Sequence, residues 1–417
     1  MKKNEKTHEK HGKIAVLWAS VSAGIFMLGY NIGTGSITTM ASAGSEYGMS
    51  LVWALLLSCV FTYVMVVAAS RYTMKTGEGL MQSFRSRFGR PVTWFIMLSL
   101  LSAEIVSSMG LMGVCVEVIR EWSRPLTADG EGLNPVVTAL ILVALLGVLC
   151  WQGRQDFFEK ILTIFVSLMA IAFLATMFVV IPDPGTIVRG LKPSIPGGTH
   201  GFIVISGMVG TTMGAILYVA RSVMVKDKGW TMADMPVQKR DARVSVILMF
   251  VLSFAVMACA AGAMRGEHIE NAIQMVGLVR PIAGRFATAL FVSGIVSAAL
   301  SSLFPILLLA PWLICDYRGV PTDVRSPLSR ILIYAVLLGT LTVPVLGGRP
   351  VSVVLVSQTL TVVATPLVVL FLTLLLNKKE LMGEDRPSPM LNLLYLIIFL
   401  FTLLMAVIGI GGIVHLF

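Results

Sequence analysis

Apolar residues in this chain gather into stretches of bilayer-crossing length, not into the alternating or one-faced patterns that cover a soluble core. Eleven such segments stand out, at 14–44, 51–70, 92–119, 135–152, 160–182, 201–225, 244–263, 286–315, 329–346, 351–376 and 391–414. Charged and turn-forming residues fall between them, and the longest connections are loops too short to hold a soluble domain. The pattern predicts an all-α integral membrane protein with about 11 transmembrane helices in one membrane domain. A mean hydropathy of +0.86 and a charged fraction of only 13% agree with that reading. Residues 1–13 form a charged tail ahead of a segment too long and too broken for a signal peptide, so the tail is expected to persist.

Charge chooses the side. With the N-terminus inside, 24 of the 32 Lys and Arg residues fall in cytoplasmic connections or at cytoplasmic helix ends, and 8 fall outside. The bias predicts a multi-pass protein of the plasma or inner membrane, with a cytoplasmic N-terminus and, from the odd span count, an external C-terminus. It also accounts for the net charge of +10 without nucleic acid, because basic clusters such as Lys226, Lys228, Lys239, Arg240 and Arg243 sit beside anionic lipid. The five cysteines are scattered singly, without the spacing of a disulfide framework or a zinc site.

Two segments depart from plain hydrophobicity. GYNIGTGSITT (29–39) interrupts segment 1, and ISGMVGTTMGAILY (205–218) interrupts segment 6, five spans later. A helix broken in the bilayer exposes amides and carbonyls that lipid cannot satisfy, so such breaks line a cavity or bind a solute; the competing reading is that small residues let helices approach closely. The matched pair predicts a five-plus-five inverted repeat with helices 1 and 6 unwound, the LeuT fold, as residues 14–182 and 201–376 followed by an additional helix at 391–417.

The residues around these breaks resemble a family. GYNIGTGSITTMASAGSEYGMSLVWALLLS (29–58) and KTGEGL (75–80) are similar to the first two helices and following loop of Nramp divalent-metal transporters. VSAALSSLF (296–304) resembles their eighth helix, and VSQTLTVVATPLVVLFLTLLLNKKELMG (356–383) their tenth. The resemblance implies the LeuT fold and secondary active transport. It departs at the metal motifs: the Asp-Pro-Gly-Asn of helix 1 aligns with Gly33, Thr34, Gly35 and Ser36, and the Met-Pro-His of helix 6 with Gly214, Ala215 and Ile216. Of the two acidic residues that the family carries three apart in helix 3, this chain has Glu104 and then Ser107. An ionisable side chain inside a membrane helix is costly, which makes Glu104 a functional candidate.

Loss of a carboxylate, an amide and a thioether removes charge and adds volume, which suits a larger neutral ligand. The candidate substrate-binding set is Asn31, Gly33, Ser36, Thr38, Glu104, Ser107, Thr211, Thr212, Gly214, Tyr218 and Gln358, an inventory of donors and acceptors for hydroxyl groups. The expected activity is symport of a small neutral polar solute, a monosaccharide such as glucose, with a cation. In segment 8, Ala298, Ser301 and Ser302 share one helix face. That spacing resembles the sodium site of sodium-coupled LeuT-fold transporters, completed by carbonyls near Tyr30 and Gly33. Sodium is therefore the expected coupling ion, proton the alternative, and no other cofactor is expected. Two other readings stay open: carriage of a hydrated hard divalent ion, magnesium or manganese, proton-coupled or uncoupled, and a transport-inactive sensor or scaffold. No nucleophile and base pair or phosphate loop appears, which argues against an enzyme. The chain is expected to work as a monomer with a small-molecule substrate in the lipid bilayer.

Overall fold

The computed structural model describes residues 33–152, 155–180 and 182–415, and these are helical almost throughout. The principal helices are α1 (Thr34–Tyr47), α2 (Val52–Thr76), α3 (Leu80–Phe88), α4 (Arg90–Ser123), α5 (Pro135–Gln152), α6 (Gln155–Val179) and α7 (Gly198–Met213). They continue with α8 (Ile216–Asp227), α9 (Met235–Ala263), α10 (Ala287–Arg318), α11 (Pro327–Gly339), α12 (Pro350–Val363), α13 (Thr365–Asn377) and α14 (Pro389–Val414). Among the described residues, ten helical stretches are long and apolar enough to cross a membrane. The eleventh expected span is segment 1, whose residues 14–32 lie outside the described residues and whose remainder is α1.

Segment 4, expected at 135–152, coincides with α5, whereas segment 7, expected at 244–263, begins nine residues early as α9. The polar turns MPVQKRDAR at its start are helical but fall outside an apolar window, so hydropathy passes over them. Two further spans are split. Segment 6 divides into α7 and α8 at Gly214, whose extended backbone (φ −57°, ψ 136°) ends the first half. Segment 10 divides into α12 and α13 ahead of Pro366, which has no N–H to give the preceding turn and crowds its carbonyl.

Burial sorts the helices into an inner and an outer set. The apolar window of α7 and α8 is 89% buried inside the protein, against 28% for α5 and for the span at Leu162–Val179, and 33% for α14. The pair α7 and α8 is thus the axis of the bundle, and α5 shows lipid side chains such as Leu140, Ile141 and Val148. Around the axis, α12 packs on α4 and α7, α9 on α1 and α2, and α10 on α4 and α6.

Contacts at the two ends agree with the sorting of loops by charge. Lys226 of α8 reaches Gln82 of α3 (3.0 Å), Arg85 of α3 donates to the Tyr317 carbonyl of α10 (3.0 Å), and Lys75 of α2 pairs with Asp385 (2.6 Å), all at one end. At the other end Gly266 N–H donates to the Ser45 carbonyl (2.7 Å) and Trp53 to the Ser194 carbonyl (3.2 Å). Residues assigned to one side by sequence therefore meet at one end of the bundle.

Candidate functional site

The α7–α8 break could survive in a membrane only if its freed backbone groups were satisfied. They are, and by side chains from three elements. Tyr218 hydroxyl donates to the Met213 carbonyl (2.9 Å), Thr62 of α2 donates to the Thr212 carbonyl (2.7 Å), and Ala215 N–H donates to Thr365 Oγ1 of α13 (3.1 Å). Thr212 turns its own hydroxyl back to the Met208 carbonyl (2.7 Å). Tyr218 and Thr212, expected to face a solute, instead hold the break together: they are fully buried and absent from the cavity wall.

Beside the break lies a cavity of about 30 Å³. Its polar wall is Ser36 of α1, Glu104 and Ser107 of α4, Thr211 of α7, Ser302 of α10, and Gln358 and Thr361 of α12. Gly33, Gly35, Gly210 and Gly214 complete the polar side, and Leu111, Ile216, Leu217 and Ile306 close it with apolar surface. Glu104 is 6% exposed and, among the described residues, is the only carboxylate in the wall, which has no basic side chain among them. Gln358 Nε2 donates to Ser107 Oγ (3.3 Å), which ties α12 to α4 across the site, and Ser36 Oγ faces Ser253 Oγ of α9 at 3.5 Å. Thr34 Oγ1 donates to the Ile295 carbonyl of α10 (3.1 Å) and anchors the start of α1 at the cavity.

Of the expected set, the structure brings Gly33, Ser36, Glu104, Ser107, Thr211, Gly214 and Gln358 to one cavity. Thr38 is buried away from it and its hydroxyl has no hydrogen-bond partner among the described residues. Asn31 and Tyr30 lie outside the described residues. Thr361, Gly35, Gly210 and Ser302 were not foreseen as wall residues; Thr361 follows Gln358 by three positions, a helical spacing that could have pointed to it.

The enlarged pocket expected from small residues is absent, because atoms of α12 stand where side chains on the glycines would lie. A Cβ on Gly35 would lie 2.8 Å from Gln358 Nε2, one on Gly214 would lie 2.5 Å from Thr361 Cγ2, and one on Gly210 would collide with the Gln358 carbonyl. The glycines serve close approach of α12 to α1 and α7. The remaining space holds a water or two, far below the roughly 300 Å³ and upward of an organic-ligand pocket.

Sodium as the coupling ion finds no support at the expected site. Ser301 and Ser302 hydroxyls both donate to the Ala298 carbonyl (3.0 and 2.9 Å), so the three groups bond one another within α10. Ser302 belongs to the main cavity instead.

Comparison with known proteins places this architecture. The model of the Nramp family, described as natural resistance-associated macrophage protein-like, matches residues 23–411. The divalent metal cation transporter MntH of Mycobacterium tuberculosis strain H37Rv is 25% identical over 368 residues, covering 84% of this chain and 81% of that one. MntH of Deinococcus radiodurans is 23% identical over 363 residues, covering 84% and 79%. A manganese transporter of Eremococcus coleocola superposes with a TM-score of 0.75 at 12% identity, covering 97% of this chain and 87% of that chain. A nucleobase-cation-symport-1 family transporter superposes with a TM-score of 0.52 at 16% identity. The expectation of a sodium-driven monosaccharide symporter is thereby overturned, since the relatives are named for divalent metals and sodium as the coupling ion finds no support among them. What stands is the LeuT fold, a multi-pass membrane transporter and no enzyme chemistry: with a family model matching nearly its whole length, the chain belongs to the Nramp family.

Proposed function

We propose that this transporter carries a hydrated hard divalent cation, magnesium or manganese, by alternating access, with a proton or no coupling ion. The observation that carries the reading is the cavity wall, which among the described residues offers one carboxylate, hydroxyls and an amide and neither imidazole nor thiolate nor thioether. Oxygen donors suit hard cations, and a small, strongly hydrated ion such as Mg²⁺ keeps much of its water and needs only one or two carboxylates. The family's metal motifs are replaced by Gly33, Ser36 and Gly214, which supports an ion that relies on its own water rather than on soft ligands. The closed cavity has room for a water or two, so the hydrated ion would enter when alternating access widens it, and hydroxyls of Ser36, Ser107, Thr211 and Ser302 would then accept hydrogen bonds from its water.

The distribution of Lys and Arg supports a cytoplasmic N-terminus in a plasma or inner membrane. The test is uptake of Mg²⁺ and Mn²⁺ into proteoliposomes, with Glu104→Gln beside the unaltered protein. The variant keeps shape and hydrogen bonding and removes the charge, so binding should weaken by at least ~100-fold, on the scale of a lost partner to a buried charge. Equal uptake by both proteins, or no uptake of either ion by the unaltered one, overturns the reading.

A further inference from the structure

Glu46, His200 and His268 are 154 and 68 residues apart along the chain, yet they meet at the end of the bundle remote from the basic helix ends. Glu46 is in the last turn of α1, His200 in the first turn of α7, and His268 in the connection that leaves α9. His200 Nε2 lies 3.0 Å and His268 Nδ1 2.9 Å from the same oxygen, Glu46 Oε1, and one ligand atom from each residue falls within 4.8 Å of the others. The two rings meet edge to face with centroids 4.7 Å apart. From this geometry we infer a second metal site, outside the transport cavity, that binds Zn²⁺ or a comparable borderline divalent ion through two imidazole nitrogens and one carboxylate oxygen.

Three features support it. Two nitrogens and one oxygen form a donor set that zinc accepts in tetrahedral sites, leaving one position for water. Tetrahedral bonds of about 2.0–2.2 Å put ligand atoms roughly 3.3–3.5 Å apart, so side-chain adjustments of an ångström or so would centre an ion here. The connection that bears His268 is also held in place beforehand. Gly266 N–H donates to the Ser45 carbonyl (2.7 Å), and Ala272 N–H donates to Glu117 Oε2 of α4 (3.0 Å), so both flanks of His268 are fixed. The donors differ in kind from those of the transport cavity, where oxygen dominates, so the two sites select different ions. Zinc here would join the end of α1, the start of α7 and the α9–α10 connection, and cross-linking three segments raises thermal stability.

The experiment uses the full chain, free of any affinity tag, in detergent, and titrates Zn²⁺ and separately Mg²⁺ by calorimetry and by thermal unfolding. Zn²⁺ should bind one such site and raise the unfolding midpoint. His200→Ala and His268→Ala should each weaken Zn²⁺ binding by about tenfold or more. The same Zn²⁺ binding should persist in Glu104→Gln, which separates this site from the cavity and makes the outcome independent of the transported ion. Half-exposed His200 and His268 lie on the surface, so their removal leaves the packed interior intact. Zn²⁺ affinity unchanged in the double histidine variant, or lost in Glu104→Gln, overturns the inference.

Discussion

Two layers of the bundle bury charge, and they surround it differently. At the end that gathers the basic helix ends, Arg221 of α8 and Asp241 of α9 form an ion pair at 2.7 Å with side chains 0% and 2% exposed. Ser70 of α2 accepts from Gln238 of α9 (2.7 Å) and from Arg221 Nε (3.4 Å), and the guanidinium also faces the Trp230 ring. At the α7–α8 break, Glu104 borders a water-sized cavity lined by hydroxyls, with no basic side chain among the described liners. Taking charge out of water is costly unless a partner repays it. The layer at the basic end supplies that partner from the chain and packs it shut, tying α2, α8 and α9 together. At the break the surroundings of Glu104 include hydroxyls and a small open space, the arrangement expected where a mobile cation visits.

The contrast can be broken from the basic end first. Asp241→Ala would leave Arg221 buried opposite a void and should cost about 3–5 kcal/mol, read as a large fall in unfolding midpoint or loss of folded protein. Replacing both residues together, Arg221→Met with Asp241→Leu, should recover most of that loss, because an apolar pair of similar volume needs no desolvation. A double variant as unstable as the single one would mean that the layer is held by something other than charge pairing.

The close approach of α12 is tested by two glycines that face it differently. Gly210→Ala sets a methyl against the Gln358 backbone carbonyl, so α12 itself must move, and the cost should be about 1–3 kcal/mol. Gly35→Ala meets only the far end of the Gln358 side chain, which can rotate away, and should cost less than about 1 kcal/mol in stability. Thermal unfolding of the two variants side by side ranks them; the reverse order would mean that α1 rather than α7 sets the distance to α12.

The smallest effect is expected at the surface, where Asp385 bonds Lys75 and lies near Arg71. The hydrogen bond and charge of Lys75 hold the Asp385 carboxyl below its ordinary value of 3.8. A lowered folded value stabilises the protein above the ordinary one, and that contribution fades as pH falls through the lowered value. Asp385→Asn should therefore leave the unfolding midpoint slightly lower at pH 6 and converge with the unaltered protein toward pH 3. A difference that grows on acidification would contradict the assignment.

Glu104 and Gln358 were legible as cavity residues because a carboxylate or a long amide in an apolar segment is conspicuous. Thr212 and Tyr218 were misplaced because a hydroxyl beside a helix break has two uses, bonding a solute or bonding the freed backbone, and composition does not separate them. The cluster of Glu46, His200 and His268 was invisible for another reason: its members sit in three different segments and meet only when α1, α7 and the α9–α10 connection close around one end.

The sequence by itself determined the membrane class, the approximate positions of the described spans and the break in segment 6. Each follows from local physics: the length of apolar runs set against bilayer thickness, and the inability of lipid to satisfy open backbone. Only the tertiary structure decided how large the cavity is. A glycine records that a side chain is missing, and whether the space becomes a pocket or a closer helix contact depends on the facing helix. Here Gln358 and Thr361 of α12 came in to fill it, because close packing gains dispersion energy that an empty space forfeits.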